Sequence, residues 1–138
     1  MKSLAERTEA IERVFLVGVE LKQRGSIEVS ESMEELTELA RTAGAKIIGK
    51  GTQKLSRPHV ATFIGKGKAA EIAELCKKGE VDTVIFDDEL SPAQTQNLEK
   101  IFDSKVLDRT ALILDIFAQR ARTREGKMQI EMAQLQHI

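Results

Sequence analysis

Val14–Leu21 reads VFLVGVEL, a nearly continuous run of apolar and β-branched residues. Such a run is typical of a strand that is buried on both faces, as in a parallel sheet covered by helices. Outward along the chain, short apolar segments of the same kind recur between glycine, proline and polar residues. The further predicted strands are Ala45–Lys54, Val60–Ile64, Val81–Phe86 and Lys105–Leu107.

Helical patterns separate these strands. Ser32 and Glu35 are spaced as a capping box before an apolar face that ends at Gly44. The later helices are predicted to begin at Gly65, at Ser91 with Pro92 and Gln94, and at Asp108. Alternating strands and helices predict an α/β fold. We expect a small, mostly parallel sheet with flanking helices, followed by a long projecting C-terminal helix.

Composition indicates the compartment in which the protein acts. Cys76 is the single cysteine, which excludes an internal disulfide and fits a reducing compartment. No apolar run approaches the roughly 18 residues of a membrane span, and the N-terminus has no signal-peptide pattern. We therefore expect a cytoplasmic protein without a membrane span.

Charge is segregated along the chain, although the net charge is only −1. Ala45–Lys68 contains six basic residues and no acidic one, whereas Glu80–Asp103 contains seven acidic residues and one lysine. A basic surface of this size suits phosphate backbones. The alternative is that the two sets interleave in space and cancel.

The C-terminal pattern combines an apolar face with basic residues. Leu114, Phe117 and Ala121 recur at helical spacing, and we expect Leu114 and Phe117 to anchor this helix on the sheet. Four basic residues and one acidic residue follow between positions 118 and 127. A solvated helix face is the simpler explanation of these charges.

The segment GKGKAA, residues 65 to 70, matches G-x-G-x-x-A between a predicted strand and a predicted helix. In dinucleotide-binding turns the glycines let the backbone approach a pyrophosphate, and a later acid holds a ribose. Gly65, Gly67 and Asp87 are therefore the candidate cofactor-binding residues. A tight strand-to-helix turn that needs glycine is the structural alternative.

Other catalytic patterns are absent from the sequence. His59 and His137 are isolated, so no metal site is expected, and no serine has an associated His/Asp pattern. There is no G-x-x-x-x-G-K-[ST] segment, so the chain has no P-loop. We expect no catalytic residue and no enzymatic activity in this chain by itself.

Three blocks carry a resemblance to a known family. They are ATFIGKGK from Ala61, VIFDDELSPAQ from Val84 and DRTALILDIFAQRARTREGK from Asp108. Together they closely resemble the N-terminal domain of HflX-type GTPases, which bind the large ribosomal subunit and split stalled or stressed ribosomes. The resemblance runs from about Val14 to the last residue.

The resemblance implies an α/β domain over residues 1–109, with a polar N-terminal leader, and the first helix of a helical arm over residues 110–138. It also implies large-subunit ribosomal RNA as the partner. The candidate RNA contacts are Lys50, Lys54, Arg57, Lys66, Lys68, Arg120, Arg122, Arg124 and Lys127.

The family's second arm helix and G domain, with its GTP and Mg²⁺, have no counterpart in this sequence, so GTP hydrolysis is carried over to no residue. Two other functions stay open, namely ATP binding at the Gly65–Ala70 turn and a regulatory contact with the parent's own G domain. Without the second arm helix, we expect residues 123–138 to fray or to form a dimer through the C-terminal helix.

Overall fold

The computed structural model describes residues 12–22 and 25–121. Strands and helices alternate along this part of the chain. They are β1 (Arg13–Leu21), α1 (Ser26–Thr42), β2 (Lys46–Leu55), α2 (Lys66–Lys78), β3 (Thr83–Phe86), α3 (Pro92–Phe102), β4 (Lys105–Asp108) and α4 (109–121). The predicted α/β class is confirmed. The part of the C-terminal helix predicted beyond residue 121 lies outside the described residues.

The strands form one sheet in the order β2-β1-β3-β4, and every neighbouring pair is parallel. One apolar cluster joins α2 and α3 to the sheet face that carries Phe15, Val17 and Val19. A second cluster joins α1 and α4 to the face that carries Val14 and Leu16. Strand β1 is therefore buried on both sides, as its continuous apolar sequence predicts.

The Phe15 ring lies over two glycines of β2. A Cβ atom at Gly49 would lie 2.8 Å from Phe15 Cε2, and one at Gly51 would lie 3.3 Å from Phe15 Cε1. The register of β1 and β2 shifts between Val14 and Phe15. Beyond that shift, Gly49 and Gly51 face the α2 side, and the alternating residues of β2 face the α1 side.

Two predicted local structures are wrong. Val60–Ile64 is not a strand but a turn, in which the backbones of His59 and Phe63 exchange hydrogen bonds of 3.0 and 2.9 Å. Helix α1 begins at Ser26, so Ser32 lies inside the helix and does not cap it. The Ser32 hydroxyl donates instead to Asp87, a partner that local spacing does not reveal.

The predicted anchors of α4 are also wrong. Leu114 and Phe117 are each 62% exposed, whereas Leu112 and Ile116 are buried against the sheet. Residues 112 and 116 are four apart and share one face of the helix. Residues 114 and 117 are three apart and share a different face. The helical period alone therefore left two apolar faces to choose from, and tertiary packing decided between them.

The predicted caps of α3 and α4 are confirmed. Ser91 and Gln94 form a reciprocal capping box at the start of α3. Asp108 Oδ1 accepts a hydrogen bond of 2.9 Å from Ala111 N in the first turn of α4. Asp108 Oδ2 accepts a second one, of 3.1 Å, from Leu90 N, and so ties α4 to the loop after β3.

Candidate nucleic-acid interface

Two lysines, Lys50 and Lys54, project from β2. Gln53 turns toward α2, where its Oε1 accepts a hydrogen bond of 3.0 Å from Gly65 N. Because side chains alternate along a strand, Lys50 and Lys54 point to the opposite face, and both are exposed. The sheet order makes β2 an edge strand of the described sheet. Exposed lysines on an edge strand also discourage pairing with other strands, which is a structural reason for their presence.

The loop after β2 and the first turn of α2 add further cations. Arg57 and Lys66 are exposed, whereas Lys68 is partly buried and lies 3.6 Å from Glu71. Among the described residues, no ion pair involves Lys50, Lys54, Arg57 or Lys66. These four cations are therefore available to an external anion.

Of the remaining predicted cations, Arg120 alone belongs to the described residues. Arg120 is exposed on α4, about 16 Å along the helix axis from Arg109 at its start. Arg122, Arg124 and Lys127 lie outside the described residues. The structure thus places Lys50 and Lys54 on the α1 side of β2, Arg57 and Lys66 on the segment that follows the strand, and Arg120 on a different element.

Three residues of the acidic segment lie at the carboxyl edge of the sheet. Asp87, Asp88 and Glu89 directly follow β3, which is separated from β2 by β1 alone. Neighbouring strands lie about 4.8 Å apart, so the carboxyl edge changes from basic to acidic over about 10 Å. The two charge sets occupy different strands and do not interleave along one strand.

Asp87 is the center of a buried polar cluster. Its carboxylate accepts hydrogen bonds from Ser32 Oγ at 2.5 Å and from Arg109 Nη1 at 3.0 Å. Arg109 also donates to Ser32 Oγ at 2.8 Å and, through Nη2, to Glu35 at 2.8 Å. Arg109 was not among the residues predicted from the sequence, and Ser32 was predicted only as a helix cap. The sequence signal for such a pair is an arginine in the first turn of a predicted helix, here Arg109, combined with an aspartate that directly follows a predicted buried strand, here Asp87.

The glycine turn before α2 has an ordinary backbone. Gly65 caps the helix with φ −67°, and no side chain bonds to the first turn. Gly67 is not among the residues with positive φ, and a Cβ atom there would meet nothing within 4 Å. The backbone conformation therefore does not require glycine at either position. Cofactor binding by Gly65, Gly67 and Asp87 stays a prediction, and Asp87 already has the two partners described above.

Other chemical sites find no support in the described ranges. Within residues 12–22 and 25–121, no group of three His, Cys, Asp or Glu side chains is arranged to hold a metal ion. Burial raises the pKa of the Cys76 thiol to about 11, so at neutral pH it stays protonated and poorly nucleophilic. None of the described helices is both long and apolar enough to cross a membrane.

Comparison with known proteins identifies the family. Residues 30–118 match the family described as GTP-binding GTPase N-terminal, which covers more than half of the chain. The chain belongs to this family. The match includes α2, α3 and all strands except β1, together with most of α1 and of α4.

Relatives of the family extend well beyond this chain. GTPase HflX of Lacrimispora saccharolytica is 47% identical over 137 residues, covering 99% of this chain but 32% of the relative. GTPase HflX of Escherichia coli is 45% identical over 133 residues, covering 96% of this chain and 30% of the relative. The chain therefore spans about a third of the length of these family members.

A solved structure shows the same fold. A GTP-binding protein from the hyperthermophilic archaeon Sulfolobus solfataricus, crystallised with GDP, matches with a TM-score of 0.60 and 27% identity. The match covers 91% of this chain and 36% of that one. The family assignment and the α/β fold are consistent with each other, and the resemblance to HflX-type GTPases seen in the sequence is confirmed.

Proposed function

We propose that this chain is the ribosome-binding N-terminal domain of an HflX-type GTPase, acting in the cytoplasm in ribosome splitting or rescue under stress. The observation that carries the proposal is a group of exposed cations on β2 and on the segment that follows it, none of which forms an ion pair with another described residue. The group consists of Lys50, Lys54, Arg57 and Lys66. An HflX-type domain with such a surface is suited to the phosphates of large-subunit ribosomal RNA.

These cations orient the domain and do not read a base sequence. Lysine and arginine contacts to phosphates fix the position of a protein on a nucleic acid but carry no sequence information directly. Lys68 contributes less than its neighbours, because Glu71 already lies beside it. Arg120, on α4, belongs to a second set of proposed RNA contacts together with Arg122, Arg124 and Lys127.

GTP hydrolysis belongs to the part of the relatives that this chain does not span. In this proposal the chain supplies no catalytic residue, and GTP with Mg²⁺ binds in the G domain of the parent protein. The domain holds the parent on the ribosome, so that nucleotide-dependent changes elsewhere act on a fixed target.

Binding to purified large ribosomal subunits tests the proposal. The fluorescently labelled chain is titrated with subunits at several monovalent salt concentrations. The log of the affinity is expected to fall linearly with the log of the salt concentration, with a slope of about −0.7 to −0.9 for each phosphate neutralised. An affinity that is independent of salt would contradict the proposal and would favour a protein partner, such as the parent's own G domain.

Nucleotide binding at the Gly65–Ala70 turn is the second candidate function. It is favoured by the first turn of α2, whose amides have no side-chain cap and are flanked by Lys66 and Lys68. Amides at a helix N-terminus attract anions. Titration with labelled ATP in the absence of RNA separates this function from the first, because RNA binding does not require ATP.

A further inference from the structure

The turn between β2 and α2 exposes an apolar tip. Val60 is 92% exposed, and His59 and Ala61 on either side of it are exposed as well. A single exposed valine is ordinary on a protein surface. This one is unusual in its setting, because the turn that carries it is both strained and firmly held.

The strain is at Phe63. Its φ is +63°, in the left-handed region that bulky residues rarely adopt. Such a conformation is unfavourable for a bulky side chain and persists where the surroundings impose it. The Phe63 ring is buried and packs edge-on against Phe86, with ring centroids 6.3 Å apart. Burial of the ring offsets the strain and fixes the base of the turn in the core.

The tip is held from a second direction by α3. Gln94 Nε2 donates to the His59 carbonyl at 3.0 Å, and Asn97 Nδ2 donates to the Ala61 carbonyl at 3.0 Å. With the two backbone hydrogen bonds between His59 and Phe63, these contacts fix the direction in which Val60 projects. A segment that is ordered before binding loses little conformational entropy when it meets a partner.

The charge around the tip indicates the partner. Arg57 and Lys66 precede and follow the turn in the sequence, within a stretch from residue 45 to residue 68 that contains no acidic residue, whereas α3, which supports the tip, belongs to the acidic segment. A rigid apolar tip beside an imidazole and between two cations matches an unpaired nucleotide. RNA-binding proteins contact splayed bases with apolar and ring-bearing side chains and contact the adjoining phosphates with cations.

We propose that the His59–Phe63 turn is a preformed prong that contacts an unpaired nucleotide of ribosomal RNA, with Val60 and His59 against the base and with Arg57 and Lys66 at its phosphates. This inference rests on the proposed function and makes it more specific. It assigns recognition of local RNA structure to the prong, beside the general attraction that the lysines of β2 exert.

Binding by prong variants is the first test. Val60→Glu is expected to weaken binding to purified large subunits by about tenfold, because it places a charge against the base. Asn97→Ala leaves the exposed tip intact but removes one of its supports, and about a threefold loss is expected. Leu75→Glu is the matched control, since Leu75 is 45% exposed near the end of α2, about 13 Å along the helix axis from Lys66. It should bind within about twofold of the unaltered chain.

A tethered cleavage probe identifies the class of partner. The buried Cys76 reacts poorly, so an iron chelate that generates hydroxyl radicals can be attached selectively to a Val60→Cys variant. Discrete cuts in the ribosomal RNA are expected from this position, and a Leu75→Cys variant, with its probe near the end of α2, should not produce the same cuts.

The outcomes separate the two proposals. If the unaltered chain does not bind large subunits, both are overturned. If it binds and Val60→Glu binds equally well, the prong proposal alone is overturned. If Val60→Glu weakens binding but the probe at position 60 leaves the RNA uncut, the prong contacts a ribosomal protein, and the assignment to RNA is overturned. Unchanged melting temperatures of all variants establish that each change is local.

Discussion

Arg109 Nη1 lies 3.0 Å from Asp87 Oδ1 and ties the first turn of α4 to the end of β3. The Asp87 side chain is only 2% exposed, so its carboxylate requires partners inside the protein. Arg109 and Ser32 are those partners. The ion pair therefore fixes the point at which the C-terminal helix leaves the sheet.

Replacing Arg109 should destabilise the fold. Arg109→Gln leaves the Asp87 carboxylate buried without its cation, and we expect a loss of about 2–4 kcal/mol in the free energy of unfolding. Urea denaturation measures this loss. Glu35→Gln is the matched control, because Glu35 bonds to the same guanidinium but its side chain is 71% exposed. It should cost less than about 1 kcal/mol, and equal losses for the two variants would contradict a special role for the buried pair.

Two glycine substitutions should have opposite effects. Gly49→Ala places a methyl group 2.8 Å from the Phe15 ring, which cannot move freely in the core, and a loss of about 1–3 kcal/mol is expected. Gly67→Ala meets open space in the first turn of α2 and should be neutral or stabilise by up to about 1 kcal/mol. Melting curves of both variants test the pair. A destabilised Gly67→Ala variant would show that the turn needs glycine after all.

Neutralising the lysines of β2 should weaken RNA binding without affecting the fold. For Lys50→Gln with Lys54→Gln, we expect lower affinity for large subunits and a salt slope reduced by about 1.4–1.8, because two phosphate contacts are lost. Lys77→Gln with Lys78→Gln removes the same charge from the last turn of α2 and is the control. Equal effects of the two double variants would indicate that only net charge matters.

The free energy of unfolding should decrease at alkaline pH because Cys76 is buried. The thiol has a pKa of about 11 in the folded chain and about 9.0 when unfolded. Below pH 9 both states keep the proton, so the thiol has no effect on stability. Between pH 9 and 11 the unfolded state ionises first, and stability should fall by up to about 2–3 kcal/mol. Comparison with Cys76→Ala isolates this contribution from the lysines, and identical pH profiles would contradict it.

Much of the fold could be predicted from local patterns. β1 is identified by its continuous apolar sequence, and α3 by Ser91, Pro92 and Gln94. These signals are readable because the interactions behind them join residues a few positions apart. Asp108 was correctly predicted as the cap of α4 for the same reason.

Other features depend on contacts between distant parts of the chain. The turn at Phe63 was predicted as a strand, because the ring's contact with Phe86 and the support from Gln94 and Asn97 are invisible in the local sequence. Among the candidate site residues, the strand period could not decide the directions of Lys50 and Lys54, since the register shift in β2 sets them.

The sequence by itself determined the α/β class, the alternation of strands and helices, the family and the separation of basic from acidic segments. Tertiary structure alone decided which face of α4 is buried, which partners Asp87 takes and how the tip at Val60 is presented. The physical reason is that periodicity and capping act within a few residues. Burial, ion pairing and backbone strain at these sites depend on groups from 22 to 77 positions apart, such as Asp87 with Arg109 and Ser32 with Arg109, and only folding brings them together.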